Sequence, residues 1–76
     1  MSSHRQKLSR RLARMTFSLE WAKGAGNAAH GWVLAGKEGS AEFQLCFREA
    51  LNGARAAVRE GEAIERALHP KRKADA

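Results

Sequence analysis

Two series of apolar or glycine positions run along this chain at alternating steps of four and three. The first is Leu8, Leu12, Met15, Leu19, Ala22, Gly26, Ala29 and Val33. The second is Phe43, Phe47, Ala50, Ala54, Ala57, Gly61, Ile64 and Leu68. Each series keeps to one stripe of an α-helix and would scatter over both faces of a strand. Between them lies GKEGS, rich in helix-stopping residues. The pattern predicts two helices that bury their stripes against each other.

Composition supports that choice. Fifteen Ala and seven Leu stand against only four β-branched residues, Thr16, Val33, Val58 and Ile64, and there is no Tyr. Ala and Leu favour helix, whereas strands want β-branched and aromatic side chains. Boundary residues agree. Ser3 with Gln6 forms a candidate capping box. Gly36 and Gly39 can end the first helix, Ser40 can cap the second, and Pro70 stops it after His69. The expected helices span about 4–35 and 41–68, and Gly24 and Gly31 should kink or fray the first.

The fold class read from these features is all-α: one domain over 1–76, an antiparallel two-helix hairpin that dimerises to a four-helix bundle. A basic arm at 1–7 and a basic tail at 70–76 flank it. Paired as a hairpin, Val33 should meet Phe43 by the loop, and Leu8 and Leu12 should meet Leu68 and Ile64 at the open end. In the middle, Ala22, Gly26 and Ala29 should face Ala50 and Ala54. One α+β arrangement competes. Phe17, Leu19 and Trp21 alternate, as do Phe43, Leu45 and Phe47, with KGAGN and GKEGS as turns. That reading gives three short strands and one C-terminal helix.

The first helix carries a second apolar face: Phe17, Trp21, Ala25, Ala28, Trp32 and Ala35. A helix apolar on two faces needs two neighbours. A hairpin supplies one. A homodimer or a foreign protein must supply the other, and aromatic side chains dominate such interfaces. Phe17, Trp21 and Trp32 are therefore the candidate partner-binding residues.

Charge supplies the other functional signal. The net charge is +6, and residues 1–14 alone carry +5 with no acid. Residues 15–68 are close to neutral, and 69–76 carry +2. A hairpin brings both basic segments to one end. Arg5, Lys7, Arg10, Arg11, Arg14, Lys71, Arg72 and Lys73 are the candidates for binding phosphate or an acidic surface. No zinc-finger, homeodomain or RNP-type pattern accompanies them, so sequence-specific readout is not expected.

Catalytic and cofactor chemistry finds little support. Gly24-Ala-Gly26-Asn-Ala-Ala29 formally fits a dinucleotide fingerprint, but that motif needs a strand before it and a parallel sheet around it. Cys46 is the only cysteine, which excludes a disulfide within the chain. His4, His30 and His69 could serve it as bases, with His30 nearest in level, yet no residue is placed to orient one. The three His and Cys46 lack metal-ligand spacing. Glu49, Glu60, Glu62 and Glu65 alternate with Arg48, Arg55, Arg59 and Arg66 as on a solvated helix face.

No apolar run is long enough to span a membrane, and the lone cysteine suits a reducing compartment, so a cytoplasmic location is expected. The expected function is a small non-enzymatic binding protein without a cofactor. It would be a regulator or inhibitor docking on a larger protein or nucleoprotein complex, as a phage or mobile-element inhibitor of a host defence complex would. Direct DNA or RNA binding by a small helical dimer is the alternative. An enzyme is the weakest class.

Overall fold

The computed structural model of the chain describes residues 2–69. Helix α1 spans Ser2–Leu34 and helix α2 spans Ala41–Leu68. They pack side by side as an antiparallel hairpin, with no strand among the described residues. The three-strand alternative is therefore excluded. The hairpin is 52 Å long and only 15 Å thick, a layer one helix deep with two broad faces.

The connection is fixed by local hydrogen bonding. Gly36 takes φ +77°, the left-handed region that glycine enters without a Cβ penalty. Its N–H donates to Val33 O at 2.9 Å, and Lys37 N–H donates to Trp32 O at 2.8 Å. This Schellman pair satisfies carbonyls that the helix end would otherwise leave open. Ser40 caps α2: its Oγ accepts from Phe43 N–H at 3.1 Å and donates to Lys37 O at 2.8 Å. At the far end His69 N–H closes α2 onto Glu65 O at 3.0 Å. Pro70 itself lies outside the described residues.

Two expectations about α1 are corrected. The helix starts at Ser2, so Ser3 lies inside it and cannot be its cap. The segment read as an arm is helical from that residue. The helix also runs unbroken through Gly24 and Gly31. Nothing stands within 4 Å of a Cβ placed at either glycine. Packing of α1 along its whole length outweighs the propensity cost of about 1 kcal/mol per glycine.

The seam shows where the two stripes were legible and where they were not. Its spine is Leu8, Met15, Ala22 and Ala29 from α1, and Phe43, Ala50, Ala57 and Ile64 from α2, all buried or half-buried. These are half of each predicted series. Of the other half, Gly26 and Gly61 are half-buried beside Ala50 and Met15, as a seam position requires, but the remaining residues lie outside. Leu12, Leu19 and Val33 are 43%, 46% and 42% exposed, and Phe47, Ala54 and Leu68 are exposed as well. The seam instead takes the residues three after each spine position: Arg11, Ser18, Ala25 and Trp32, with Cys46, Gly53 and Glu60 opposite. Trp32, not Val33, closes the seam beside the loop.

Closest approach comes at Ala22 and Gly53. A Cβ on Gly53 would lie 3.1 Å from Ala22 N and Cβ and 3.2 Å from its Cα. Only glycine lets the two backbones pass at this distance. Gly26 stands level with Ala50, its Cβ position 4.0 Å from Ala50 Cβ, and Gly61 stands level with Met15, 3.3 Å from Sδ. These two contacts are equivalents. Adding 35 to Gly26 gives Gly61, and subtracting 35 from Ala50 gives Met15. The hairpin therefore has an approximate internal two-fold axis, normal to its broad faces. The residues four after each spine position, on both helices, consequently lie on one and the same face.

Candidate functional site

Burial inside the hairpin is thin. Among the described residues the buried hydrophobic side chains are Ala29, Ala57 and Ile64, and each keeps 5–8% of its surface exposed. Ten large apolar side chains among the described residues remain exposed, from Val33 at 42% to Leu34 at 76%. Isolated apolar side chains on a surface are ordinary, but contiguous strips mark interaction sites. Here eight of the ten, all but Leu34 and Leu45, sort onto two sides of the layer with different chemistry.

The first side is built on α1. Lys7, Arg14 and Trp21 are seven apart and share one helical position, and Arg10 and Phe17 share the next. Lys7, Arg10, Arg11 and Arg14 line one shallow depression. Phe17 and Trp21 continue the same strip, 68% and 52% exposed. Cations and aromatics thus form one line along a single face of α1. Glu42 and Glu49 of α2 lie on this side too, but toward the loop, away from the cations. At the open end a neighbouring depression is lined by His4, Lys7, Leu8, Arg11, Ala67 and Leu68, drawing α2 into its rim.

The second side carries Leu12, Leu19 and Val33 from α1, and Phe47, Val58 and Leu68 from α2. Arg55 and Arg59 line a depression with Ala54 and Val58, and Lys23 and Glu65 share Val58's helical position at the margin. Phe47 stacks on Phe43 with ring centroids 6.0 Å apart, which holds its ring along the helix. From 12 to 33 and from 47 to 68, no residue in the strip four beyond the spine is charged.

The other sequence candidates are placed as follows. Trp32 belongs to the seam, half-buried, with Lys37 Nζ 5.9 Å from its ring centroid. Ala25, read on the same outer face, is in the seam too. The α1 face expected to hold both tryptophans is therefore divided: Phe17 and Trp21 look outward, Trp32 inward. Arg5 is exposed near the start of α1, whose first turn holds no acidic residue. Lys71, Arg72 and Lys73 lie outside the described residues. Cys46 is half-buried in the seam, while His30 is exposed on α1 and turned toward the second side, at the helical position it shares with Lys23. Gly24 to Ala29 is plain helix with no strand before it, so the dinucleotide context is missing. Among the described residues no cluster of three or more His, Cys, Asp or Glu could hold a metal ion, and no helix is long and apolar enough to cross a membrane.

Sequence reasoning found the cations and the two outward aromatics. It missed that they form one line, and that Leu12, Leu19 and Val33 face away from α2. The seven-residue spacing of Lys7, Arg14 and Trp21 was the signal available for the first.

Comparison with protein families, with characterised proteins and with solved structures gives no match. The functional reading therefore rests on the geometry alone.

Proposed function

We propose that this protein is a binding module, working by docking rather than catalysis, whose contact face is the α1 strip from Lys7 to Trp21. The observation that carries this reading is the alignment of Lys7, Arg10, Arg11 and Arg14 with the outward Phe17 and Trp21. A partner surface that is acidic at one end and apolar at the other fits it. The cations steer and orient the encounter, and the aromatics supply the buried anchor. Such a docking protein acts as a regulator or inhibitor by occupying a surface that its larger partner needs.

The test is capture from lysate with wild-type protein, Trp21→Ala, and the triple variant Arg10→Gln, Arg11→Gln, Arg14→Gln, each with and without nuclease. A defined protein that survives nuclease is expected with wild type. Both variants should lose it while keeping their helical circular dichroism. Truncating one central Trp costs about 2 kcal/mol of binding, roughly thirtyfold. Capture unaffected by either variant refutes the assignment of this face.

One observation favours a second reading. Arg10 and Arg14 are followed on the same face by the outward rings of Phe17 and Trp21, and bases of a single strand could stack on those rings while its backbone runs onto the cations. In that case a labelled oligonucleotide binds with an affinity that falls steeply with salt, and the triple variant flattens the slope.

A further inference from the structure

The apolar side of the hairpin poses a separate question. Its six large residues, Leu12, Leu19, Val33, Phe47, Val58 and Leu68, are between 42% and 58% exposed. They belong to a chain whose internal core is two alanines and one isoleucine. A 76-residue chain is marginal even with a full core, and small folds of this kind gain stability from a partner subunit. Whatever covers this side must be present whenever the chain is folded, and the partner always available is another copy.

We infer that this side is a homodimer interface, on which a second hairpin stacks to complete a four-helix bundle. Three features specify the second copy. The first is charge. The strip four beyond the spine carries no charge itself, and the charges beside it are of both signs, Lys23, Arg55 and Arg59 with Glu65, so two copies bury no cation at the centre of the contact. The Lys7–Trp21 side, with its four cations, is the poorer surface for self-contact. The second is shape. The strip mixes large and small residues: Gly26 and Val33 bracket the level of Phe47, and Ala54 and Gly61 bracket the level of Leu19. Turning a second copy about an axis parallel to the helices lays α1 over the partner's α2 at unchanged level. Phe47 then faces the step between Gly26 and Val33, and Leu19 faces Ala54 and Gly61. The third is area. Two helices of about 40 Å length and 10 Å width present about 800 Å² per copy, the size of a standard stable interface.

The arrangement leaves the Lys7–Trp21 strip outward on both faces of the bundle, so the dimer is bivalent. Its formation does not depend on what that strip binds.

Sedimentation equilibrium on the full chain tests the inference. Wild type is expected at twice the 8.4 kDa chain mass at micromolar concentration. Its thermal midpoint should fall on tenfold dilution. Leu19→Glu and Phe47→Glu, separately, should each abolish the dimer, whereas Trp21→Glu on the opposite side should leave it intact. The dilution experiment needs only wild type, so it decides even where the Glu variants fail to fold. A monomer that melts cooperatively at a concentration-independent temperature overturns the inference. So does a dimer that survives Phe47→Glu and is lost in Trp21→Glu.

Discussion

Gly53 is the residue whose replacement tests the packing most sharply. Replacing glycine by alanine inside a helix normally stabilises by about 1 kcal/mol. At Gly53 the added Cβ would meet Ala22 N at 3.1 Å and Ala22 Cα at 3.2 Å. Ordinary carbon contacts sit at about 3.5–4.0 Å, so the helices must separate by roughly half an ångström at this crossing. The opposing atoms are backbone and cannot swing aside. Overpacking of this sort costs about 1–3 kcal/mol. The net expectation for Gly53→Ala is a change between neutral and a loss of about 2 kcal/mol, from which the propensity gain has already been subtracted. Gly24→Ala and Gly31→Ala supply the reference, since nothing lies within 4 Å of either new Cβ. Each should gain about 1 kcal/mol. Gly61→Ala should fall between, because its near neighbour is the flexible Met15 Sδ at 3.3 Å. The assay is urea unfolding followed by far-ultraviolet circular dichroism at one fixed protein concentration. Gly31→Ala and Gly53→Ala should differ by about 1–3 kcal/mol, and each kcal/mol moves the melting temperature of a chain this size by about 4–8 °C. If Gly53→Ala gains as much as Gly31→Ala, the helices do not cross closely at Ala22 and the seam has been assigned wrongly.

Four other outcomes are expected from the same assay. Gly36→Ala forces an L side chain to φ +77° and should cost about 1–2 kcal/mol, although nothing crowds the site. Ser40→Ala removes both the bond from Phe43 N–H and the bond to Lys37 O, and should cost about 1 kcal/mol. Trp32→Ala should destabilise by about 2 kcal/mol because its ring is half inside the seam. Trp21→Ala should change stability by less than about 0.5 kcal/mol, so the two tryptophans separate by position and not by type. Equal losses for both would refute the division of that face.

The hairpin itself was legible because its punctuation is local. Gly36 supplies a left-handed residue and Ser40 a cap, and each acts within five residues of its own position. The spine of the seam was legible because a seven-residue repeat survives any error in choosing its flank. The flank was not legible. Leu12, Leu19 and Val33 are more apolar than Arg11 and Ser18, so a rule that buries the most apolar residues selects the wrong side of the spine. Small size decided the matter instead. With Gly53 and Ala22 at the crossing, close backbone approach draws in the flank that holds Ser18 and Ala25 and leaves the leucines outside. Gly53 was overlooked because it belongs to neither apolar series, and a lone glycine in a helix reads as a defect until its neighbour is known. The candidate site was legible as a set of residues and not as a line. The charges were counted by segment, which conceals that Lys7, Arg14 and Trp21 share one helical position.

The start of α1 carries a thermodynamic consequence of its own. A helix presents its positive pole at its N-terminus, where acidic side chains are favourable and cations are not. Here the first turn holds no acid and ends in Arg5. The local fields add instead of cancelling, at a cost of about 0.3–1 kcal/mol for the one cation nearest the pole. An anionic surface approaching this end relieves the conflict, and the relief goes into both the helix and the complex. Binding and helical order at the start of α1 are therefore linked quantities: whatever raises one must raise the other by the same free energy. Salt, which screens the pole and the partner alike, should stiffen that end in the free protein while weakening its grip.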